Sequence, residues 1–233
     1  MTTAQGILLA GATGLVGRLT LRALLDDARF VGVIFAPVRH ELDLRDPRLL
    51  AVRTEFGTAG ADAGIVDAIE AHSPKRVDSF VSCLGTTLRA AGSREAFIAV
   101  DRDLVLRLAQ LAFDQGARHA VLMSSVGASR QSGNFYLRVK GEVEDAMARV
   151  GFTRLDIIQP GLLIGAREQR RPAEALAQSL VPIADRALLG KLSRFRSIDA
   201  QQVARAIVAL LERSSAGEFT YQYASIQELT KVS

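Results

Sequence analysis

The chain has 233 residues, 48% hydrophobic and 23% charged, with 29 basic against 25 acidic residues and a net charge of +4. This composition supports a sizeable core and excludes a largely disordered chain. The bases are scattered, with no Lys/Arg block or aromatic-interleaved stripe, so no nucleic-acid partner is expected, while a mild positive bias suits an anionic ligand.

Cys83 is the only cysteine, which rules out an internal disulfide and points to a reducing compartment. The opening "MTTAQGILLAGATGLVG" lacks a signal-peptide pattern, and no run approaches the ~18–20 apolar residues of a membrane span. The expectation is a cytoplasmic protein with no membrane partner.

Short apolar runs alternate with helical patterns. "GILLA" (6–10) reads as a first strand, followed by a helix over 15–27. "FVGVIF" (30–35) and the weaker "VRTEF" (52–56) are the next strands, and "GTAGADAG" (57–64) reads as a flexible connection. "SFVSCL" (79–84) precedes a helix over 99–115, in which Leu104, Leu108, Leu111 and Ala112 share a face and Gly116 ends the run. "HAVLMSS" (119–125), a helix through Tyr136 to Arg149, and "RLDIIQ" (154–159) complete the rhythm. Residues 161–199, with "REQRRPAE" at 167–174, read as a mobile polar insertion near the sheet edge. A final helix spans 199–213, with Asp199 as N-cap. Strands joined by helices imply parallel pairing with right-handed crossovers.

Gly11, Gly14 and Gly17 fall at the junction of the first strand and first helix, with Ala12, Thr13, Leu15 and Val16 between them. Glycines there allow a tight turn, close approach of a pyrophosphate and helix–strand packing, and the helix N-terminus favours an anion. The spacing Gly-x-x-Gly-x-x-Gly resembles the short-chain dehydrogenase/reductase superfamily. That resemblance implies that the residue ending the second strand reads the adenosine ribose. Arg39 stands there, before Glu41 and Asp43, and a base favours the 2′-phosphate of NADP(H) over NAD(H).

Tyr136 and Lys140 are one helical turn apart, following Ser124 and Ser125 at a strand end. A phenol is a weak acid, a neighbouring ammonium stabilises its phenolate, and a serine can hold a substrate oxygen. The order of glycine loop, strand-end serines and Tyr-x-x-x-Lys follows the short-chain plan along nearly the whole chain. "CLGTT" (83–87), "VDRDLVLRLAQLA" (100–112) and "NFYLRVKGEVE" (134–144) resemble the atypical branch of HIV Tat-interacting oxidoreductase-like NAD(P)-binding proteins. The resemblance implies Tyr136 as proton donor or acceptor, Lys140 as its partner and ribose contact, and Ser124 or Ser125 as the carbonyl-orienting hydroxyl. It also places Leu84, Gly85, Thr86 and Thr87 beside the cofactor, and Pro160 and Leu163 of "QPGLLIG" at the nicotinamide pocket. Two features depart from the plan. Asp101 stands where many members carry an active-site Asn, and both serines lie one or two residues closer to the tyrosine than usual. Asp101 and Asp103 read otherwise as a solvated helix start.

His40, His72 and His119 are far apart and give no metal-ligand spacing, so no metal site is expected, and His119 reads as a surface residue before the fifth strand. Cys83 reads as a packed core thiol. The expected fold is α/β: a single doubly wound Rossmann-like parallel sheet over residues 1–233, with 161–233 forming a small C-terminal cap on the substrate side. The expected function is NADP(H)-dependent hydride transfer to or from a small carbonyl or alcohol substrate. The alternatives are a catalytically weak NAD(P)-binding regulator of a protein partner and a sugar-nucleotide epimerase. Residues 86–96 and 162–198 would shape the substrate pocket.

Overall fold

The computed structural model describes residues 5–58, 60–72, 76–165, 188 and 190–231. Its main sheet contains Gly6–Ala10 (β1), Val33–Val38 (β2), Leu49–Arg53 (β3), Ser79–Ser82 (β4), His119–Met123 (β5), Arg154–Ile158 (β6) and Gly217–Tyr221 (β9). These seven strands are all parallel, in the order β3-β2-β1-β4-β5-β6-β9. Leu163–Ile164 (β7) and Ile198–Asp199 (β8) form a separate short parallel pair.

The helices lie on both faces of the sheet. They are Leu15–Asp26 (α1), Ala61–Glu70 (α2), Leu88–Ala91 (α3), Arg94–Ile98 (α4), Val105–Asp114 (α5), Phe135–Met147 (α6), Ala200–Leu211 (α7) and Tyr223–Leu229 (α8). Every residue of β1 is buried, as a strand covered on both faces requires. Ile7 and Leu9 join Leu21, Leu24, Val203 and Ile207 of α1 and α7 in one core. Leu8 and Ala10 join Ile65, Leu108, Val143 and Met147 of α2, α5 and α6 in the other. This is the expected doubly wound Rossmann-like fold. The strand order reverses between β1 and β4, and the crevice beyond the strand ends at that point is where such sheets bind ligands.

Several boundaries differ from the sequence reading. β2 and β3 each sit three residues from their expected starts, because β2 pairs with β1 from Gly6↔Val33 and β3 follows β2 from Ile34↔Leu49. The second half of the expected 57–64 connection is the first turn of α2. β9 is not among the strands expected from the sequence: "GEFTY" is short, half exposed and lacks an apolar run, and its pairing with β6 makes it a strand. Helix 99–115 begins earlier, as α4, and its first part, Ala99–Leu104, is π-helical. Asp199 does cap α7, accepting from Gln201 N–H at 2.6 Å. The "REQRRPAE" stretch lies outside the described residues.

Candidate active site

A cleft of about 770 Å³ opens at the strand-order reversal, bounded by the loops after β1, β4, β5 and β6. Its phosphate end is the glycine loop. Gly11 has φ +83°, and a Cβ there would lie 2.7 Å from the Cys83 carbonyl carbon. A Cβ on Gly17 would lie 2.1 Å from the Gly11 oxygen, so glycine at both positions holds α1 tight against the ends of β1 and β4. Gly14 is the N-cap of α1. It makes no side-chain capping bond, and the first turn carries no acid. The amides there are left for an anion, and Thr13, Gly14, Leu15 and Val16 line the cleft. Gly11, buried Ala12 and Gly17 form the support beneath and do not line it. These residues fit a dinucleotide pyrophosphate.

Arg39 lies outside the cleft wall, exposed just past the end of β2. It makes no ion pair among the described residues. Arg18 on α1 lines the cleft and was not singled out from the sequence; its position directly after Gly17 was the available signal.

The chemical end combines four elements. Leu84, Gly85 and Thr86 come from the loop after β4, Ser124 and Ser125 from the end of β5, Tyr136 and Lys140 from α6, and Pro160 and Leu163 from beyond β6. Thr87 also lines the cleft, but its hydroxyl caps α3, accepting from Ala90 N–H at 3.1 Å. Asn134 starts α6 by accepting from Leu137 N–H at 3.2 Å. The Tyr136 ring then rests on fully buried Phe97, with centroids 5.8 Å apart.

Lys140 is 4% exposed and pairs with Asp101, Nζ to Oδ1, at 3.0 Å. The contact is ionic and not aligned as a hydrogen bond. The other Asp101 oxygen accepts from Thr86 N–H at 2.8 Å. Asp101 is fully buried, so it neither caps nor solvates the helix start. The π-helical turn carries it, a deviation common at functional sites. Gly85 packs against both partners: a Cβ there would meet Asp101 Oδ1 at 3.7 Å and Lys140 Nζ at 3.9 Å.

The two serines differ. The Ser124 side chain is buried and donates to Oε1 of Glu144, while the Ser125 hydroxyl makes no hydrogen bond among the described residues. Glu144 also accepts from Gln159 Nε2 at 2.9 and 3.1 Å. Burial raises the Glu144 carboxyl above its ordinary range, against the hydrogen bonds from Ser124 and Gln159. The loop after Ser125 is pressed onto α6 at Gly141, where a Cβ would come within 2.4 Å of the Ser129 carbonyl carbon. Cys83 lines the cleft floor, yet burial pushes its thiol up to about 12, which leaves it an inert packing group.

His119 is not a surface residue. It opens β5 and contacts buried Asp156 at 2.6 Å, at the opposite end of the sheet from the cleft. Among the described residues no cluster of His, Cys, Asp or Glu could hold a metal ion, and no helix is long and apolar enough to cross a membrane.

A glycine loop at a strand-order reversal, with a Tyr-x-x-x-Lys helix facing it, defines a dinucleotide-binding protein of the short-chain dehydrogenase/reductase type. The profile of the NAD dependent epimerase/dehydratase family matches residues 7–135. The chain is 35% identical over 205 residues to the mitochondrial protein fmp52 of Aspergillus fumigatus, covering 87% of this chain and 85% of that protein. It is 35% identical over 174 residues to HTATIP2 of Rattus norvegicus, covering 75% and 69%. The chain therefore belongs to the NAD dependent epimerase/dehydratase family of the short-chain dehydrogenase/reductase superfamily.

Solved structures share the fold. The terminal R domain from the myxalamid PKS-NRPS biosynthetic pathway superposes with TM-score 0.66 at 18% identity, covering 100% of this chain and 71% of that one. MoeE5 in complex with UDP-glucose and NAD gives 0.65 at 13% identity, covering 99% and 82%. The relatives also correct one expectation: several fmp52 proteins are named mitochondrial, so the cytoplasmic assignment does not stand. A lone cysteine reports on redox conditions, and several reducing compartments share those.

Proposed function

We propose that this protein is an NADP(H)-dependent oxidoreductase that interconverts a small carbonyl compound and its alcohol. The observation that carries this reading is the meeting of Tyr136, Lys140 and Ser125 in the same cleft as the glycine loop. When bound, the nicotinamide would supply or accept the hydride. The glycine loop would hold the pyrophosphate, and Arg39 the ribose 2′-phosphate. Ser125, whose hydroxyl is uncommitted, would orient the carbonyl oxygen, and Tyr136 would give that oxygen its proton. Lys140, fixed by Asp101, would present its ammonium to Tyr136 and to the nicotinamide ribose.

Calorimetric titration with NADPH and separately with NADH tests the cofactor half, because a chain without tryptophan is poorly suited to quenching. Tight NADPH and weak NADH binding is the expected result, followed by turnover on a panel of aldehydes and ketones. A well-folded protein that binds neither nucleotide overturns the reading. Sugar-nucleotide epimerisation is the second reading, favoured by the family match itself. Epimerisation of a UDP-sugar without net NADPH consumption would select it.

A further inference from the structure

Tyr136, Lys140 and Glu144 follow one another at four-residue intervals along α6, so they form one stripe. The first two line the cleft, and the third stands behind it. The Glu144 side chain is the acceptor in each of its hydrogen bonds: Ser124 donates to Oε1, and Gln159 Nε2 donates to Oε1 at 2.9 Å and Oε2 at 3.1 Å. The Gln159 amide is fixed in this orientation from its other end, where Oε1 accepts from Gln222 Nε2 at 2.8 Å. Gln222 is itself held at the N-cap of α8, its own N–H donating to Ser225 Oγ at 2.9 Å. The donor direction therefore runs one way, from the C-terminal helix through Gln159, just past β6, to Glu144. A carboxylate accepts all three of these bonds.

Gln159 Nε2 lies within reach of both carboxyl oxygens, and Ser124 Oγ, beside Oε1, is the one partner among them that can accept, so a protonated Glu144 donates from Oε1 toward Ser124 Oγ. The Ser124 hydroxyl must then turn its own hydrogen elsewhere, and the cleft is the space it lines. We infer that Glu144 is a positioning residue for this cleft: as a carboxylate it holds the Ser124 hydroxyl away from the substrate, and on protonation it turns that hydroxyl into the cleft to compete with Ser125. The inference rests on the oxidoreductase reading for its effect on turnover, but not for the contact itself. The charged groups that bear on Glu144 are Lys140 and Asp145 on its own helix, with Asp101 of the π-helical turn paired to Lys140. Ser124, Gln159 and Gln222, from the other elements, are neutral. Burial of the carboxyl raises its titration above the ordinary carboxylate range.

Carboxyl-carbon NMR titration of Glu144 in the full chain without nucleotide reads the contact directly. S124A removes a donor that favours the carboxylate and should move the Glu144 midpoint upward. An unmoved midpoint overturns the inference, whatever becomes of the oxidoreductase reading. In turnover, kcat of the unsubstituted protein should fall as pH drops through that midpoint, with KM nearly constant. S124A should abolish this limb because no hydroxyl remains to turn, and E144Q because position 144 no longer titrates. A limb that survives in both variants overturns the inference, and a purely structural Glu144 would leave it in place. S125A should lower kcat by about 10²–10³-fold and S124A by less than about tenfold; the reverse order also overturns it. If E144Q does not fold, S124A decides both arms. Wild-type protein that turns over no carbonyl defeats the oxidoreductase reading, and the titration still decides this one.

Discussion

The sheet carries a buried acid–base cluster at each end, and the two are built to different rules. At the end away from the cleft, Asp156 takes two bonds from Arg154, both 2.7 Å, and one contact of 2.6 Å from His119. Arg154 goes on to donate to the Ser215 carbonyl at 2.7 Å and Tyr221 Oη at 3.1 Å, and it lies 4.2 Å from the Phe219 ring centroid. At the cleft end, Asp101 has one aligned donor, Thr86 N–H, and one ammonium, Lys140, that approaches without alignment. The far cluster spends its hydrogen-bonding capacity on joining β5, β6 and β9. The near cluster keeps some unspent beside the cleft. A saturated buried charge stabilises its geometry, whereas an unsaturated one is tolerated where a ligand or reaction can use it.

Breaking the far cluster should produce the largest effect, and on stability alone. Asp156→Ala leaves buried Arg154 without its counter-ion and His119 without its hydrogen-bond partner, and should cost about 3–5 kcal/mol in denaturant unfolding. Nucleotide affinity of the folded fraction should be preserved; a specific loss of nucleotide binding would mean that the two ends are coupled. The cleft end should answer in the opposite sense. Tyr136→Phe should lower kcat by about 10²–10⁴-fold with NADPH affinity and stability nearly intact, and full turnover by this variant would remove the phenol from the chemistry.

Smaller effects sharpen the contrast. Arg39→Ala should weaken NADPH by about 1.5–3 kcal/mol in calorimetry, the weight of a charge-assisted bond, and leave NADH nearly unchanged. Equal losses for both nucleotides would dismiss the 2′-phosphate contact. The pH dependence of stability should carry opposite signs for the two carboxyls. Burial raises Asp156, but hydrogen bonds from His119 and Arg154 outweigh it and leave the carboxyl below its ordinary value of 3.8. Its stabilisation is therefore present above that value and lost as pH falls through the folded-state pKa. Glu144 is raised above 4.5, so its contribution is greatest below that value and lost as pH rises through its folded-state pKa. Melting curves of Asp156→Asn and Glu144→Gln across acidic pH should thus diverge from the parent protein in opposite directions.

The sequence made the near cluster partly legible. Gly11, Gly14 and Gly17 stand out because glycine spacing is a local signal, and Tyr136 with Lys140 because a helix places them one turn apart. Asp101 was readable as a departure from the family pattern but not as the partner of Lys140. That contact depends on a π-helical turn, which leaves no mark in the spacing of apolar residues. The different hydrogen bonding of Ser124 and Ser125 depends on Glu144, twenty residues beyond Ser124 and on another element. The far cluster was invisible for a related reason: His119, Arg154 and Asp156 become neighbours only through the β5–β6 register. β9 has no signal in its own five residues, because its place in the sheet comes from a parallel neighbour 63 residues earlier, Arg154↔Gly217.

Gly141 constrains any engineering of α6. Because the Ser129–Arg130 backbone lies against its α-carbon, any side chain introduced at 141 must displace the segment that carries Ser125. The residue after the lysine thus sets the clearance of a loop whose serine lies sixteen positions earlier. Attempts to transplant the Tyr-x-x-x-Lys helix into another scaffold, or to diversify this one, would have to move the glycine and that loop as a single cassette.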